Sequence, residues 1–304
     1  MIPTRRPSLY SLAALLALVV LSTPALAQDD DDEVVRVNTD MVVVNVTVTD
    51  ASGKYVRGLK RADFKLMEDG REQTISSFGA EETPFAAAVL LDFSGSMERR
   101  VSMARAAAIR FLDGLREEDV ASVYRFDSEI EQLQDYSASR DLAPLVFGMR
   151  AKGMTVLNDA VLRAAVDLGR RPEKRRAIVV LSDGYDTQSS ASMEKALAAA
   201  AASGVTIYTV DMMPENARAD ARVQAAGVLR NYAAKSGGRY IHTPGGQALR
   251  EAFAGIIEEL GNQYTLAYRP TNRARDGRWR GIEVKLGREQ MTARSRQGYR
   301  APKG

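Results

Sequence analysis

The chain's most chemically loaded stretch is Asp92-Phe93-Ser94-Gly95-Ser96, a carboxylate and two hydroxyls on alternate residues after an apolar run. Side chains so spaced can converge on one point of a loop. Hard oxygen donors suit magnesium, manganese or calcium, and not zinc or copper. Alone the segment carries little weight, because aspartate and serine populate turns for backbone reasons. Two distant stretches add to it. Lys152-Gly153-Met154-Thr155 offers a third hydroxyl just before a predicted helix, and Ser182-Asp183-Gly184 sets a second carboxylate after the apolar run Ala177 to Leu181. The candidate metal-binding residues are therefore Asp92, Ser94, Ser96, Thr155 and Asp183. Two carboxylates balance a divalent cation and hydroxyls add no charge. Such an ion retains capacity for one more anionic oxygen, and magnesium readily leaves some positions to water. Asp127, Asp159 and Asp186 lie near the same loops, where helix capping and turn formation are aspartate's default roles.

Other chemistries have few residues to work with. Cysteine is absent and His242 is the single histidine, which excludes disulfides, thiolate nucleophiles and multi-histidine metal sites. No general base stands beside a nucleophile and no glycine run suggests an oxyanion hole, so the chain reads as non-catalytic. The alternative of a different class is a metal-dependent hydrolase using an aspartate as base. His242, beside Ile241 at the end of a predicted strand, reads as a packed or surface residue.

The loops need elements to hold them. A chain of 304 residues suggests roughly two globular units. Its composition, 45% hydrophobic and 27% charged, is that of a folded protein with a sizeable core. From residue 85 to 260, the apolar runs Ala86 to Leu91, Val120 to Phe126, Ala177 to Leu181 and Val205 to Val210 alternate with helical stretches. Those helices are expected at Val101 to Leu115, Val156 to Leu168, Ser192 to Ala202, Val223 to Lys235 and Ala248 to Leu260. Strands apolar on both faces, separated by helices, predict an α/β fold with a doubly wound, mostly parallel sheet. The candidate loops follow its strands, where open α/β sheets bind ligands. Residues 35–80 are β in character: Val42, Val44, Val46 and Val48 alternate with Asn45, Thr47 and Thr49, and Asp69-Gly70 marks a hairpin whose return runs from Gln73 to Phe78. Residues 262–300 return to β character. Neither β segment can stand alone, so they are expected to pair into a β-sandwich flanking the inserted α/β domain.

The ends speak to location. Arg5 and Arg6, the apolar stretch Leu9 to Leu21 and Ala25-Leu26-Ala27 make residues 1–27 an export signal. The apolar stretch is shorter than the roughly 20 residues of a spanning helix, so no stable transmembrane segment is expected after cleavage. The acidic residues within 28–34 read as a solvated spacer. The mature chain is expected to be exported, periplasmic or secreted. A net charge of +3 does not argue for nucleic acid. The tail from Asn262 carries eleven basic and three acidic residues, and contact with an anionic envelope surface, or polyanion binding, is the third reading.

The set Asp92-x-Ser94-x-Ser96, Thr155 in a Gly-x-Thr loop and Asp183 in Leu-Ser-Asp-Gly resembles the von Willebrand factor type A (VWA) domain and its metal-ion-dependent adhesion site (MIDAS). The whole mature chain resembles the acidobacterial VWFA-related secreted family. The flanking features are Val46-Thr47-Val48-Thr49-Asp50, Asp63-Phe64, Glu68-Asp69-Gly70 and Gly298-Tyr299. The resemblance implies that Ser94, Ser96 and Thr155 contact the ion directly or through water. Asp92 and Asp183 would act mainly through water and hydrogen bonds. It also implies Mg2+ as cofactor, with Mn2+ or Ca2+ as alternatives, and a protein partner that presents Asp or Glu. Met154 stands where many relatives carry glycine, and Asn158 where a tyrosine is common.

Overall fold

The apolar runs become the middle layer of the molecule. The computed structural model describes residues 41–80, 83–142, 153–214, 216–243, 245–288 and 290–304. The expected export signal and acidic spacer lie outside the described residues, as does Lys152. The N-terminal part holds β1 (Val42–Asp50), β2 (Phe64–Glu68), β3 (Arg71–Gln73) and β4 (Ile75–Gly79). Then come β5 (Phe85–Asp92), α1 (Val101–Asp113), β6 (Val120–Phe126), β7 (Ile130–Ser137), α2 (Leu157–Gly169) and β8 (Arg175–Ser182). The inserted part ends with α3 (Met193–Ala202), β9 (Val205–Asp211), α4 (Ala219–Ser236), β10 (Tyr240–His242) and α5 (Gly246–Gly261). The chain closes with β11 (Tyr264–Tyr268), β12 (Trp279–Leu286), β13 (Met291–Arg294) and β14 (Gly298–Arg300).

The central sheet has the order β10-β9-β8-β5-β6-β7, with all neighbours parallel except the β6–β7 pair. Every residue of β5 is buried, because one face packs on α1 and α5 and the other on α2. Val89 and Leu91 belong to the first of these cores, Ala88 and Leu90 to the second. This is the doubly wound sheet expected from the two-faced apolar runs. Among the described residues, no helix is long and apolar enough to cross a membrane.

The flanking segments form two four-stranded antiparallel sheets, β13-β1-β11-β4 and β14-β12-β2-β3, each mixing N- and C-terminal strands. Between them Val44, Val46, Leu66, Tyr264, Leu266 and Tyr268 form a common core. Phe64, Phe78 and Tyr264 pack within it at centroid separations of 5.1 to 5.9 Å. This is the sandwich the composition called for.

Three local expectations change. The single return strand from Gln73 to Phe78 divides at Thr74: β3 pairs with β2 in one sheet, and β4 pairs with β11 in the other. The alternation on β1 suggested one solvated face, yet Asn45 and Thr47 are 8% and 3% exposed. Asn45 Nδ2 donates to Gly204 O at 3.2 Å, and Thr47 Oγ1 donates to Glu259 at 3.1 Å, so that face seals the joint with the α/β unit. Finally, β7 is an edge strand that the apolar pattern did not announce.

Candidate metal centre

The site is built at the carboxyl ends of β5 and β8, neighbours in the sheet. After Asp92 the chain leaves the sheet, and residues Gly95–Arg100 tighten into a 3-10 turn ahead of α1. Ser94 N–H donates to Asp92 Oδ1 at 2.8 Å, and Ser182 Oγ–H donates to Oδ2 at 2.6 Å. One lone pair on each carboxylate oxygen is thus committed to orientation, and others stay available. The Ser94 and Ser96 hydroxyls lie 3.1 Å apart. Asp92 and Ser94 are buried while Ser96 is exposed, so the cluster runs from the sheet edge to the surface.

The second loop is brought in by backbone. Gly95 N–H donates to Gly153 O at 3.3 Å, and Met154 N–H donates to Ser128 Oγ at 3.0 Å. Gly153 has φ of +80°, which favours glycine, and a Cβ there would sit 2.4 Å from Ser128 Oγ, so a larger residue would also turn that hydroxyl from Met154 N–H. Thr155 O accepts from the backbone N–H groups of Thr187 and Gln188, and Thr155 N–H donates to Thr187 Oγ1 at 2.9 Å. The Thr155 loop is thereby stitched to the segment that follows β8. The Thr155 side-chain hydroxyl makes no hydrogen bond to a described residue.

Asp183 supplies the remaining carboxylate, with Oδ1 accepting from Tyr185 N–H at 3.4 Å. The adjacent Gly184 takes φ of +85°, and a Cβ there would meet Ala225 O at 2.6 Å. Tight approach of α4 therefore leaves room only for glycine next to Asp183.

The electrostatics follow from burial. Desolvation, then the neighbouring charge of Asp183, pushes the Asp92 carboxyl up to about 7. Desolvation raises Asp183 as well, opposed by its hydrogen bonds from Ser96 and Tyr185. Among the described residues, no basic side chain forms an ion pair with either carboxylate. Two buried acids from different strands, facing hydroxyls and unpaired with any cation, make a donor set that fits a hard divalent ion. Asp92, Ser94, Ser96, Thr155 and Asp183 are the residues that would hold one. No group of three or more His, Asp or Glu side chains suited to a metal occurs among the described residues.

The nearby aspartates hold loops in place. Asp159 accepts from the backbone N–H groups of Ser190 and Ala191, both at 2.8 Å. Asp186 accepts from Asn158 N–H at 2.7 Å and Ser189 N–H at 3.1 Å. Asp127 accepts from Glu129 N–H at 3.0 Å and pairs with Arg125 at 2.9 Å. Asn158 accepts from Tyr232 Oη at 2.6 Å. His242 is a surface residue with Nδ1 3.2 Å from Asp211 Oδ2. Sequence reasoning passed over Ser182, Ser128 and Thr187 as supports. Ser182 stood in plain sight next to Asp183, whereas Ser128 and Thr187 are signalled only by the fold.

Comparison with known proteins agrees with this architecture. The model of the family described as VWA domain containing CoxE-like protein matches residues 67–236, and the chain belongs to that family. Human inter-alpha-trypsin inhibitor heavy chain H3 is 27% identical over 120 residues, which is 35% of this chain and 14% of that protein. The rat protein of the same name is 29% identical over 165 residues, 45% of this chain and 19% of its own length. The matched region is thus less than a fifth of these curated relatives. A solved von Willebrand factor type A structure from Catenulispora acidiphila superposes with a TM-score of 0.50 at 13% identity, covering 87% of this chain and 74% of that one. The pilus adhesin SpaC from Lactobacillus rhamnosus GG, in an open conformation, also gives 0.50, at 10% identity over 83% of this chain and 49% of that one. At such identities the likeness is one of fold.

Proposed function

We propose that the protein is an exported, non-enzymatic module that binds a partner protein's Asp or Glu side chain through a divalent cation. Magnesium is the ion the donors suit, with manganese or calcium as alternatives. The observation that carries this reading is the cluster of Asp92, Ser94, Ser96 and Asp183 at the carboxyl ends of β5 and β8, with the Thr155 loop joined to it through Gly95 N–H and Gly153 O and with Ser96 exposed. When bound, the ion supplies a positive centre that accepts a partner's carboxylate oxygen.

The chain's own residues prepare that centre. Ser182 and the Ser94 N–H orient Asp92, Tyr185 N–H orients Asp183, and Thr187 positions the Thr155 backbone. Met154, 51% exposed, stands beside Thr155 as apolar surface for the partner to cover. Export rests on the leader-like first 27 residues, and a carboxylate-bearing protein partner fits a surface site better than a deep substrate cleft does.

Calorimetric titration with magnesium or manganese on the wild type and Asp92→Ala tests the metal. Heat of binding is expected from the wild type alone, and equal heats would end the reading. Retention of an envelope protein that is released by chelator tests the partner. Retention unchanged by chelator would instead favour salt-sensitive contact through the basic tail.

A further inference from the structure

On the flank of the molecule, away from the sheet edge just described, α3 faces β12 and β14 across a cavity of about 410 Å3. That size is within the range of small-molecule sites. Its apolar lining comes from Leu197 and Ala201 of α3 together with Trp279 and Tyr299. Trp279 is 46% exposed, the largest side chain among the exposed hydrophobics. Its place depends on Gly298, where a Cβ would lie 2.6 Å from Cζ2 of the indole and 2.2 Å from Arg280 O.

The charges lining this cavity are unbalanced. Arg296 is 6% exposed, and its guanidinium stacks over the Tyr299 ring at 5.6 Å. Of its N–H groups, one on Nη1 donates to Ala201 O at 2.6 Å, and Nε is buried with no partner. No carboxylate lies within ion-pair distance of Arg296 among the described residues. Glu68, which offsets its charge from farther off, already accepts from Tyr268 Oη at 2.6 Å and Tyr299 Oη at 2.9 Å. Burial accordingly pulls the Arg296 guanidinium below its usual value. Lys235 and Arg300 add two more cations to the lining, neither in an ion pair among the described residues, against the single carboxylate of Glu194. A buried guanidinium left this short of acceptors is expensive unless something anionic completes it.

We propose that this cavity binds a small organic carboxylate with a flat apolar body, the carboxylate facing the Arg296, Lys235 and Arg300 side and the body against Trp279 and Tyr299. The site is independent of the metal reading, since none of its lining residues belongs to the metal loops. An aromatic ring suits the indole wall by offset or edge packing. Guanidinium groups are well matched to carboxylates, which they can hold through two parallel hydrogen bonds.

Trp279 is the sole tryptophan, so its fluorescence reports on the cavity directly. The full chain would be titrated with phenylacetate, and with 2-phenylethanol as the neutral counterpart. Phenylacetate is expected to saturate with a dissociation constant below about 1 mM, and the alcohol to bind at least about tenfold more weakly. Arg300→Met and Lys235→Met, both away from the buried core, should each weaken phenylacetate about threefold to tenfold and leave the alcohol unchanged. Trp279→Ala, followed by ligand-observed NMR, should weaken both. Asp92→Ala and chelator should change none of this, which separates failure here from failure of the metal site. Absence of saturation, equal binding of acid and alcohol, or affinity indifferent to all three substitutions would overturn the proposal.

Discussion

Asp92 is under two opposed demands, and the opposition is measurable. Without a cation, its carboxyl titrates near 7 in the folded chain and near 3.8 when unfolded. Between those values the folded state holds a proton that the unfolded state has released. Stability therefore falls as pH rises from about 4 to about 7, and the full loss, on the order of 4 kcal/mol, is present above pH 7. Asp92→Asn removes this penalty while keeping an acceptor for Ser94 N–H. In chelator at pH 8 the variant is expected to unfold at higher urea than the wild type, and near pH 4 the advantage should vanish. Added magnesium should raise the wild type and leave the variant where it was. A variant less stable than wild type at both pH values would mean that the hydrogen bond from Ser182 outweighs the buried charge. Thr155 gives the complementary case, because its hydroxyl has no described partner to lose. Thr155→Val should change urea stability by less than about 1 kcal/mol, since an unbonded hydroxyl gives way to a methyl of like shape. Calorimetric binding of magnesium should nonetheless be lost.

At the scale of elements, the ties between α5 and the first β-sheet carry the most charge. Glu259, 1% exposed on α5, accepts from Thr47 Oγ1 at 3.1 Å and Tyr208 Oη at 2.7 Å, and pairs closely with Arg294 of β13. Arg239 approaches its other oxygen at 3.8 Å. Glu259→Gln leaves Arg294 without its counter-charge. Because the Arg294 side chain is 34% exposed, solvent recovers part of the loss, and a cost of about 2 kcal/mol in urea unfolding is expected. None of these ties shows in the sequence, where Thr47, Glu259 and Arg294 are far apart and polar. What was legible there is physically of another kind. Strands β5, β6, β8 and β9 are apolar on both faces, and the loops carrying Asp92, Thr155 and Asp183 follow from where those runs stop. By contrast β7 carries Glu131, Gln132, Gln134 and Asp135, since an edge strand has less apolar surface to bury, and its pattern resembles a loop. The switch of the chain between sheets at Thr74 was equally hidden, because β3 and β4 read as one continuous alternation. The five candidate residues stand out by type and position, but Ser128 and Thr187, which hold the Met154 and Thr155 backbone, become visible only when loops meet in space.

At the scale of the whole molecule, the question is how an inserted α/β unit and a sandwich made from both chain ends unfold together. Both connections between them pass one side chain. Arg175, fully buried at the start of β8, donates to Ala80 O at 2.9 Å, on the way into the insertion. It also donates to Leu260 O at 2.8 Å and Gln263 O at 2.6 Å, on the way out. Three carbonyls from two linkers thus depend on one guanidinium. Arg175→Met strands them in a buried setting, at a cost of about 3 kcal/mol or more. Two optical signals can follow the two parts separately. Among the described residues the α-helices all lie in the insertion and dominate the far-ultraviolet circular dichroism, whereas the lone Trp279 sits on β12 of the sandwich. In the wild type the two signals are expected to trace one transition with a single midpoint. In Arg175→Met the midpoints should separate, with the tryptophan signal moving first, since the sandwich is the smaller part and relies on strands from both chain ends. Coincident midpoints in the variant would place the coupling elsewhere, on the β1 face where Asn45 and Thr47 bond to Gly204 and Glu259.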